Sequence, residues 1–220
     1  MAEILHIDAS GRTERSLSRA LSASFVTRWR DVRPDDAVIY RNLAADPPPH
    51  VTEDWIAAAF TPEAERTPAQ AAVLAPSDTL IDEVLRADVI VVGTPMYNYG
   101  VPSTLKAWID QVIRIGRTFT FDLARGDQPI EPIQTGKSLV TLMSSGEGLF
   151  APGQANAADN HVDPHLNSAM RLFGCDQQAV LRVEWQEFGD ARHERSIDAA
   201  YAAIPALVDQ VAARLTAEAA

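Results

Sequence analysis

Cysteine occurs once in the 220 residues, at Cys175. An internal disulfide is therefore excluded, as is any zinc or iron–sulfur site built from several cysteines, and such usage suits a reducing cytosol. Positive charge is scarce as well: 19 Lys and Arg face 30 Asp and Glu, a formal net charge of −11. Nucleic-acid binders carry a basic footprint, so no nucleic-acid partner is expected. Long hydrophobic runs are missing. No stretch approaches the roughly 18 apolar residues of a membrane span, and Glu3 and Asp8 interrupt the apolar run that a signal peptide needs. The expectation is a cytoplasmic protein without a membrane partner.

What is present is ordinary globular composition, 46% hydrophobic and 22% charged, which argues against disorder. One α/β core can hold a chain of this length, since single cores run to roughly 250 residues. No repeat, low-complexity segment or linker interrupts it, so one domain is expected over residues 1–220. The acidity sets a condition on any phosphate ligand: oriented backbone N–H groups and helix dipoles must do much of the holding.

Hydrophobic patterning alternates between strands and helices. Ile4–Asp8 reads as a first strand, and Leu17, Leu21 and Phe25 form the stripe of a first helix, capped by Ser16 or Ser18. Ala37–Leu43 is strand-like, and Asp46-Pro-Pro-Pro-His50 stops regular structure before a partly helical excursion with Trp55 and Phe60. Gln70–Arg86 is helical. Asp88–Gly93 is continuously apolar and β-branched, the pattern of a parallel strand covered on both faces. Pro102 suits the first turn of the next helix, with Leu105, Trp108, Ile109 and Val112 inward. Ser138–Met143 is another buried strand, Asn160–Phe173 a helix, Ala179–Trp185 an edge strand, and Ile197 to Leu215 the stripe of a last helix containing Pro205. This order implies a parallel sheet with helices on both faces, expected as a doubly wound five-stranded sheet; if its strand order is 2-1-3-4-5, the loops leaving the strand ends meet at one edge. Gly116–Gly136 is long for a connection and reads as an irregular lid or subunit contact.

Ligands of open α/β sheets bind beyond the carboxyl ends of the strands. Three segments leave such ends. The first, Ala9–Ser18, brings hydroxyls at Ser10, Ser16 and Ser18 into a helix start, where a phosphate would meet free N–H groups, with Arg12 or Arg15 assisting; the plain alternative is that these serines only cap the helix. The second, Pro95–Ser103, offers amide donors and aromatic surface at Tyr97, Asn98 and Tyr99, which suits a planar heterocycle with a polar edge; the alternative is an ordinary proline-bounded turn. The third, Ser144-Ser145-Gly146-Glu147-Gly148, is small enough for a ring to pack on its backbone.

The residues that carry a family resemblance are His6–Ser10 with Ser16–Leu21, Tyr40–Ala44, Gly116–Phe119, Val162–Leu166 and above all Pro95-Met96-Tyr97-Asn98-Tyr99-Gly100-Val101-Pro102-Ser103-Thr104-Leu105-Lys106. The chain resembles the FMN-dependent NADH-azoreductase and NAD(P)H quinone reductase family of flavodoxin-like proteins over most of its length. The resemblance implies bound FMN, with phosphate at Ser10, Ser16, Leu17 and Ser18 and the ring system at Pro95, Met96, Tyr97, Asn98 and Tyr99 with Ser144, Ser145 and Gly146. It implies NAD(P)H as donor, a quinone or azo acceptor, and a homodimer with sites at the subunit interface. The chemistry is centred on the flavin, so no catalytic side chain is assigned; Phe119 is a candidate pocket wall. Two departures lie where donor and acceptor approach: Glu147 replaces a glycine of the third loop, and Asp122–Gln134 lacks the family's usual pattern.

Competing motifs are weaker. Gly136-Lys137-Ser138 ends like a phosphate-binding P-loop, but Glu131 occupies the first required glycine and a strand follows instead of a helix. Gly146–Ala151 matches a dinucleotide pattern after the wrong strand. His161 and His165 have helical spacing but no evident third metal ligand, Ser144 and Ser145 lack a nucleophile elbow, and Cys175 reads as a small buried residue. From another functional class, a non-catalytic FMN carrier or redox-sensing protein remains the alternative.

Overall fold

The computed structural model describes residues 1–218. Its elements in order are β1 (Glu3–Asp8), α1 (Leu17–Val32), β2 (Ala37–Asn42), α2 (Glu53–Phe60), α3 (Pro68–Arg86), β3 (Val89–Pro95), α4 (Ser103–Val112), β4 (Phe119–Phe121), β5 (Ile130–Pro132), β6 (Lys137–Ser144), α5 (Asp163–Met170), β7 (Cys175–Val183) and α6 (Ala191–Glu218). Five strands form a parallel sheet in the order β2-β1-β3-β6-β7, and β4 pairs with β5 as a separate antiparallel hairpin. Counting only the main sheet, this is the expected 2-1-3-4-5.

The side-chain period of 2 divides the central strands between two cores. Leu5, Ile7, Ile90, Val92, Leu139 and Met143 face Ile81 and Val84 of α3, Trp108 of α4 and Leu166 of α5. Ile4, Val89, Val91, Val140, Leu142 and Val183 face Phe25 and Trp29 of α1 and Val208 of α6. Every residue of β3 is buried, which explains its unbroken apolar run.

Three expectations need correction. The last strand starts at Cys175, not Ala179, and ends at Val183. It lies at the sheet edge, where Asp176, Gln177 and Gln178 are exposed, so their polarity hides the strand; Trp185 has φ 67° and cannot extend it. The expected helix from Asn160 to Phe173 is confined to Asp163–Met170, followed by a 3-10 turn that ends at left-handed Gly174. The stretch from Gly116 to Gly136 is not wholly irregular, because Phe119 pairs with Pro132 and Phe121 with Ile130. The P-loop reading also disappears. Lys137 opens β6, is buried, and donates its ammonium to the carbonyls of Leu85 and Ala87 at the end of α3.

Candidate ligand site at the carboxyl rim of the sheet

Parallel registers set the ends of neighbouring strands side by side, with Asp8 opposite Gly93, Pro95 opposite Ser144, and Ser144 opposite Val183. The loops leaving these ends surround a cavity of about 570 Å³, within the range usual for small-molecule sites.

The loop after β1 forms one end. Ser16 is the N-cap of α1, its hydroxyl accepting from the Arg19 N–H at 3.4 Å and lying 3.3 Å from the Ser18 hydroxyl. Ser10 is buried, and its Oγ accepts from the Arg12 N–H at 3.2 Å. No carboxylate occupies the first turn of α1, so the dipole there is uncompensated and favours an anion. Ser10, Arg12, Arg15, Ser16 and Leu17 line the cavity. Ser18 does not; its side chain is wholly buried behind the loop.

The loop after β3 supplies the middle. Met96 N–H donates to the Ser144 carbonyl at 2.8 Å, tying this loop to β6. Tyr97 and Gly100 exchange two hydrogen bonds of 2.9 and 3.0 Å around Asn98 and Tyr99, which have φ of 48° and 65°. This is a two-residue hairpin turn with positive φ at both central positions, where Asn fits first and Gly is usual second. A tyrosine held there is strained by about 1–3 kcal/mol, and strain of this kind collects at ligand sites. Pro95, Met96, Tyr97 and Asn98 line the cavity. Tyr99 turns away: its hydroxyl donates to the Glu147 carboxylate at 3.3 Å and its ring meets Phe150 edge-on.

Ser144, Ser145 and Gly146 also line the cavity. Their loop is laced to the one after β7, with N–H donors of Trp185, Gln186 and Glu187 bonded to the carbonyls of Glu147, Ser145 and Gly146, each at 3.1 Å. Ser145 Oγ donates to the Glu147 carbonyl at 2.7 Å. Sequence reasoning missed Gln186 and Glu187, which also line the cavity. The available signal was topological: the last strand neighbours β6, so its exit loop must reach the same rim. Phe119 lies outside, in the β4–β5 hairpin, and is not among the cavity's lining residues.

Charge divides the rim. Arg12 and Arg15 stand at the first-loop end, while Glu187 lies against Gly146 at the other, where a Cβ on that glycine would come within 2.7 Å of the carboxyl carbon. The carboxylates of Glu147, Asp159 and Glu187 together raise the Tyr99 phenol pKa, Glu147 most strongly. His161 and His165 line a separate neighbouring hollow with Tyr97 and Lys106; burial and then Lys106 depress His165.

A parallel sheet in this order, with a cavity beyond its carboxyl edge and a helix N-terminus opening into it, defines an α/β protein of the flavin- or nucleotide-binding kind. The chain belongs to the family with a flavodoxin-like fold, whose family model matches residues 2–208. It is 47% identical over 218 residues to the FMN-dependent NADH:quinone oxidoreductase 2 of Colwellia psychrerythraea, covering 96% of this chain and all of that one. It is 43% identical over 201 residues to the FMN-dependent NAD(P)H:quinone oxidoreductase 1 of Pseudomonas aeruginosa, covering 91% and 95% of the two chains. Among solved structures, an FMN-dependent NADH-azoreductase of Bacillus anthracis in complex with FMN superposes with TM-score 0.83 at 16% identity, covering 96% of this chain and 99% of that one. At that identity the likeness speaks for the fold.

Proposed function

We propose that the chain is an FMN-dependent oxidoreductase that moves electrons from NAD(P)H to quinones, with azo compounds as a second acceptor class. The observation that carries this reading is the single cavity in which unpaired donors at a helix start face a strained aromatic turn. The names of the close relatives support it.

The residues fit FMN. Its phosphate would take the hydroxyls of Ser10 and Ser16 and the backbone N–H groups of Leu17 and Ser18, which have no protein acceptor among the described residues; Arg12 and Arg15 stand close enough to the cavity to add charge. Ser18 would act through its main chain, since its side chain is buried. The ring system would lie between Met96–Asn98 and Ser144–Gly146. There the N–H groups of Asn98 and Gly146, also unpaired with protein among the described residues, are the donors for its polar edge.

FMN held there would supply the redox chemistry, a two-electron relay between nicotinamide and acceptor that we read as ping-pong. The chain's own residues bind, orient and shield; none is needed as a nucleophile. Phe121, Leu123 and Ile130 of the β4–β5 hairpin are exposed apolar side chains, a surface suited to homodimer contact, and through such a contact Phe119 could approach a partner's site. We read residues 1–220 as one domain and place the protein in the cytoplasm on its lone cysteine, which suits a reducing compartment; separately, no helix among the described residues is long and apolar enough to cross a membrane.

The test is to load the purified protein with FMN, add NADH, and follow flavin absorbance and steady-state turnover with a neutral benzoquinone. Bleaching by NADH, reoxidation by quinone and parallel double-reciprocal lines are expected. A flavin that NADH leaves oxidised until a separate reductase is added would mark an electron carrier instead.

A further inference from the structure

We propose that Arg19 is a positioning residue for the phosphate end of the site: its guanidinium holds the Ser10 and Arg12 carbonyls so that the loop cannot turn a carbonyl oxygen toward the ligand. This inference rests on the flavin reading above and extends it to a residue outside the cavity lining.

Arg19 is the third residue of α1, yet its side chain does not run out to solvent; it is 10% exposed. Nε donates to the Arg12 carbonyl at 2.9 Å, and one terminal nitrogen donates to the Ser10 carbonyl at 2.6 Å and to Asn42 Oδ1 at 2.8 Å. The other terminal nitrogen meets the Tyr40 hydroxyl at 3.1 Å and Asp8 Oδ2 at 3.5 Å. These acceptors lie on the first loop's own backbone or toward the ends of β1 and β2, and Arg19 is not among the residues lining the cavity. Arg19 therefore does not reach a ligand in the cavity.

Peptide geometry shows what this clamp fixes. No peptide bond here is cis, and in a trans unit the C=O and the following N–H point in opposite directions. Drawing the Ser10 and Arg12 carbonyls toward Arg19 aims the N–H groups of Gly11 and Thr13 away from it. Neither N–H finds a protein acceptor among the described residues. A loop left to itself could rotate either peptide and present a carbonyl oxygen to the phosphate, which would repel it. The guanidinium removes that alternative.

Position, rather than charge, is what Arg19 contributes. The Asp8 carboxylate facing it, itself held by Tyr40 at 2.9 Å and Ser22 at 2.8 Å, offsets its charge. A lysine would keep the charge but could not span two carbonyls and Asn42 with one planar fork.

The test compares FMN with riboflavin, which lacks the phosphate. The full-length flavin-free protein, wild type, R19K and R19Q, is titrated with each flavin while fluorescence quenching is followed, and melting curves report folding. Both variants are expected to bind FMN about tenfold more weakly and riboflavin within about twofold of wild type. Equal weakening of both flavins would mean a general structural role, and an R19K protein with the wild-type ratio would mean a charge role; either overturns the proposal. If R19Q does not fold, the R19K ratio alone decides. Should the wild type bind both flavins but prefer FMN no more than riboflavin, there is no phosphate site and this inference fails alone; should it bind neither, the flavin reading fails and this inference falls with it.

Discussion

At the Ser10–Ser18 end of the cavity, donors stand open; at the Ser144–Glu187 end, two loops satisfy one another. The first end shows hydroxyls, a bare helix N-terminus and two arginines at its mouth. The second shows a ladder of backbone bonds between the β6 and β7 exits, and the Glu184 carboxylate accepts from the N–H groups of Leu149 and Phe150 at 3.2 and 3.1 Å. Arg192 stacks over Trp185 and Phe188 at 4.5 and 4.4 Å beside this ladder. The difference teaches where binding free energy is reserved. Unpaired donors are tolerable where a ligand or water can take them, as at the first end and at the Gly146 N–H, whereas the rest of the second wall is stable because its polar groups are already paired.

Glycine substitutions should break that comparison most sharply if it is wrong. A Cβ on Gly148 would lie 2.2 Å from Cε2 of the Trp185 indole, whereas one on Gly11 would meet nothing nearer than the Tyr97 hydroxyl at 3.8 Å. Gly148→Ala must expel the indole and part the two loops, at a cost of about 1–3 kcal/mol. Gly11→Ala should stay within about 0.5 kcal/mol of wild type. Denaturant unfolding of the two variants decides the matter, and equal losses would show that the open end is as tightly built as the laced one.

Charge offers the next largest contrast. Glu147 and Glu187 make the second end acidic, so an anionic acceptor approaching there meets repulsion that a neutral one does not. Replacing Glu187 by Gln should raise kcat/KM for a sulfonated quinone about threefold to tenfold at low ionic strength, with little change for its neutral parent. The gain should fade as salt approaches about 0.5 M, where screening acts within a few ångströms. An equal gain for both quinones would point to relieved crowding over Gly146 in place of charge.

The sequence made some of this plain and hid the rest for physical reasons. Asp88–Gly93 announces a central strand because both its faces are covered, while Asp176–Gln178 conceals the start of β7 because an edge strand can be polar. Ser10, Ser16, Leu17, Pro95 to Asn98 and Ser144 to Gly146 meet at one cavity, as strand-end reasoning expects. Ser18 and Tyr99 were named with them but turn their side chains elsewhere, since neighbours on a loop share sequence position and not direction. Positive φ at Tyr99, Leu149 and Trp185 leaves no trace in residue types that ordinarily avoid it. In the sequence Arg19 stands only as one residue of the Ser16–Leu21 stretch, because the fold alone brings it to two loop carbonyls and to the side chains of Asp8, Tyr40 and Asn42.

The smallest effect is the most direct gauge of the acidic end. The exposed Tyr99 phenol is raised above the ordinary 10.0, first through the charge of Glu147 and then through its hydrogen bond to that carboxylate, with Asp159 and Glu187 adding less. A raised pKa means the folded protein keeps this proton longer than the unfolded chain. Whatever stability the pair adds is therefore present below the ordinary tyrosine value and lost as pH rises through the raised one. Glu147→Gln should move the Tyr99 midpoint down toward 10.0, and Glu187→Gln should move it less. Alkaline difference absorbance of each variant against wild type isolates this phenol from the other three tyrosines, with Tyr99→Phe marking its share. Superimposable wild-type and Glu147→Gln curves would mean that solvent already screens the carboxylate, and the acceptor preference argued from the same charge would lose its footing.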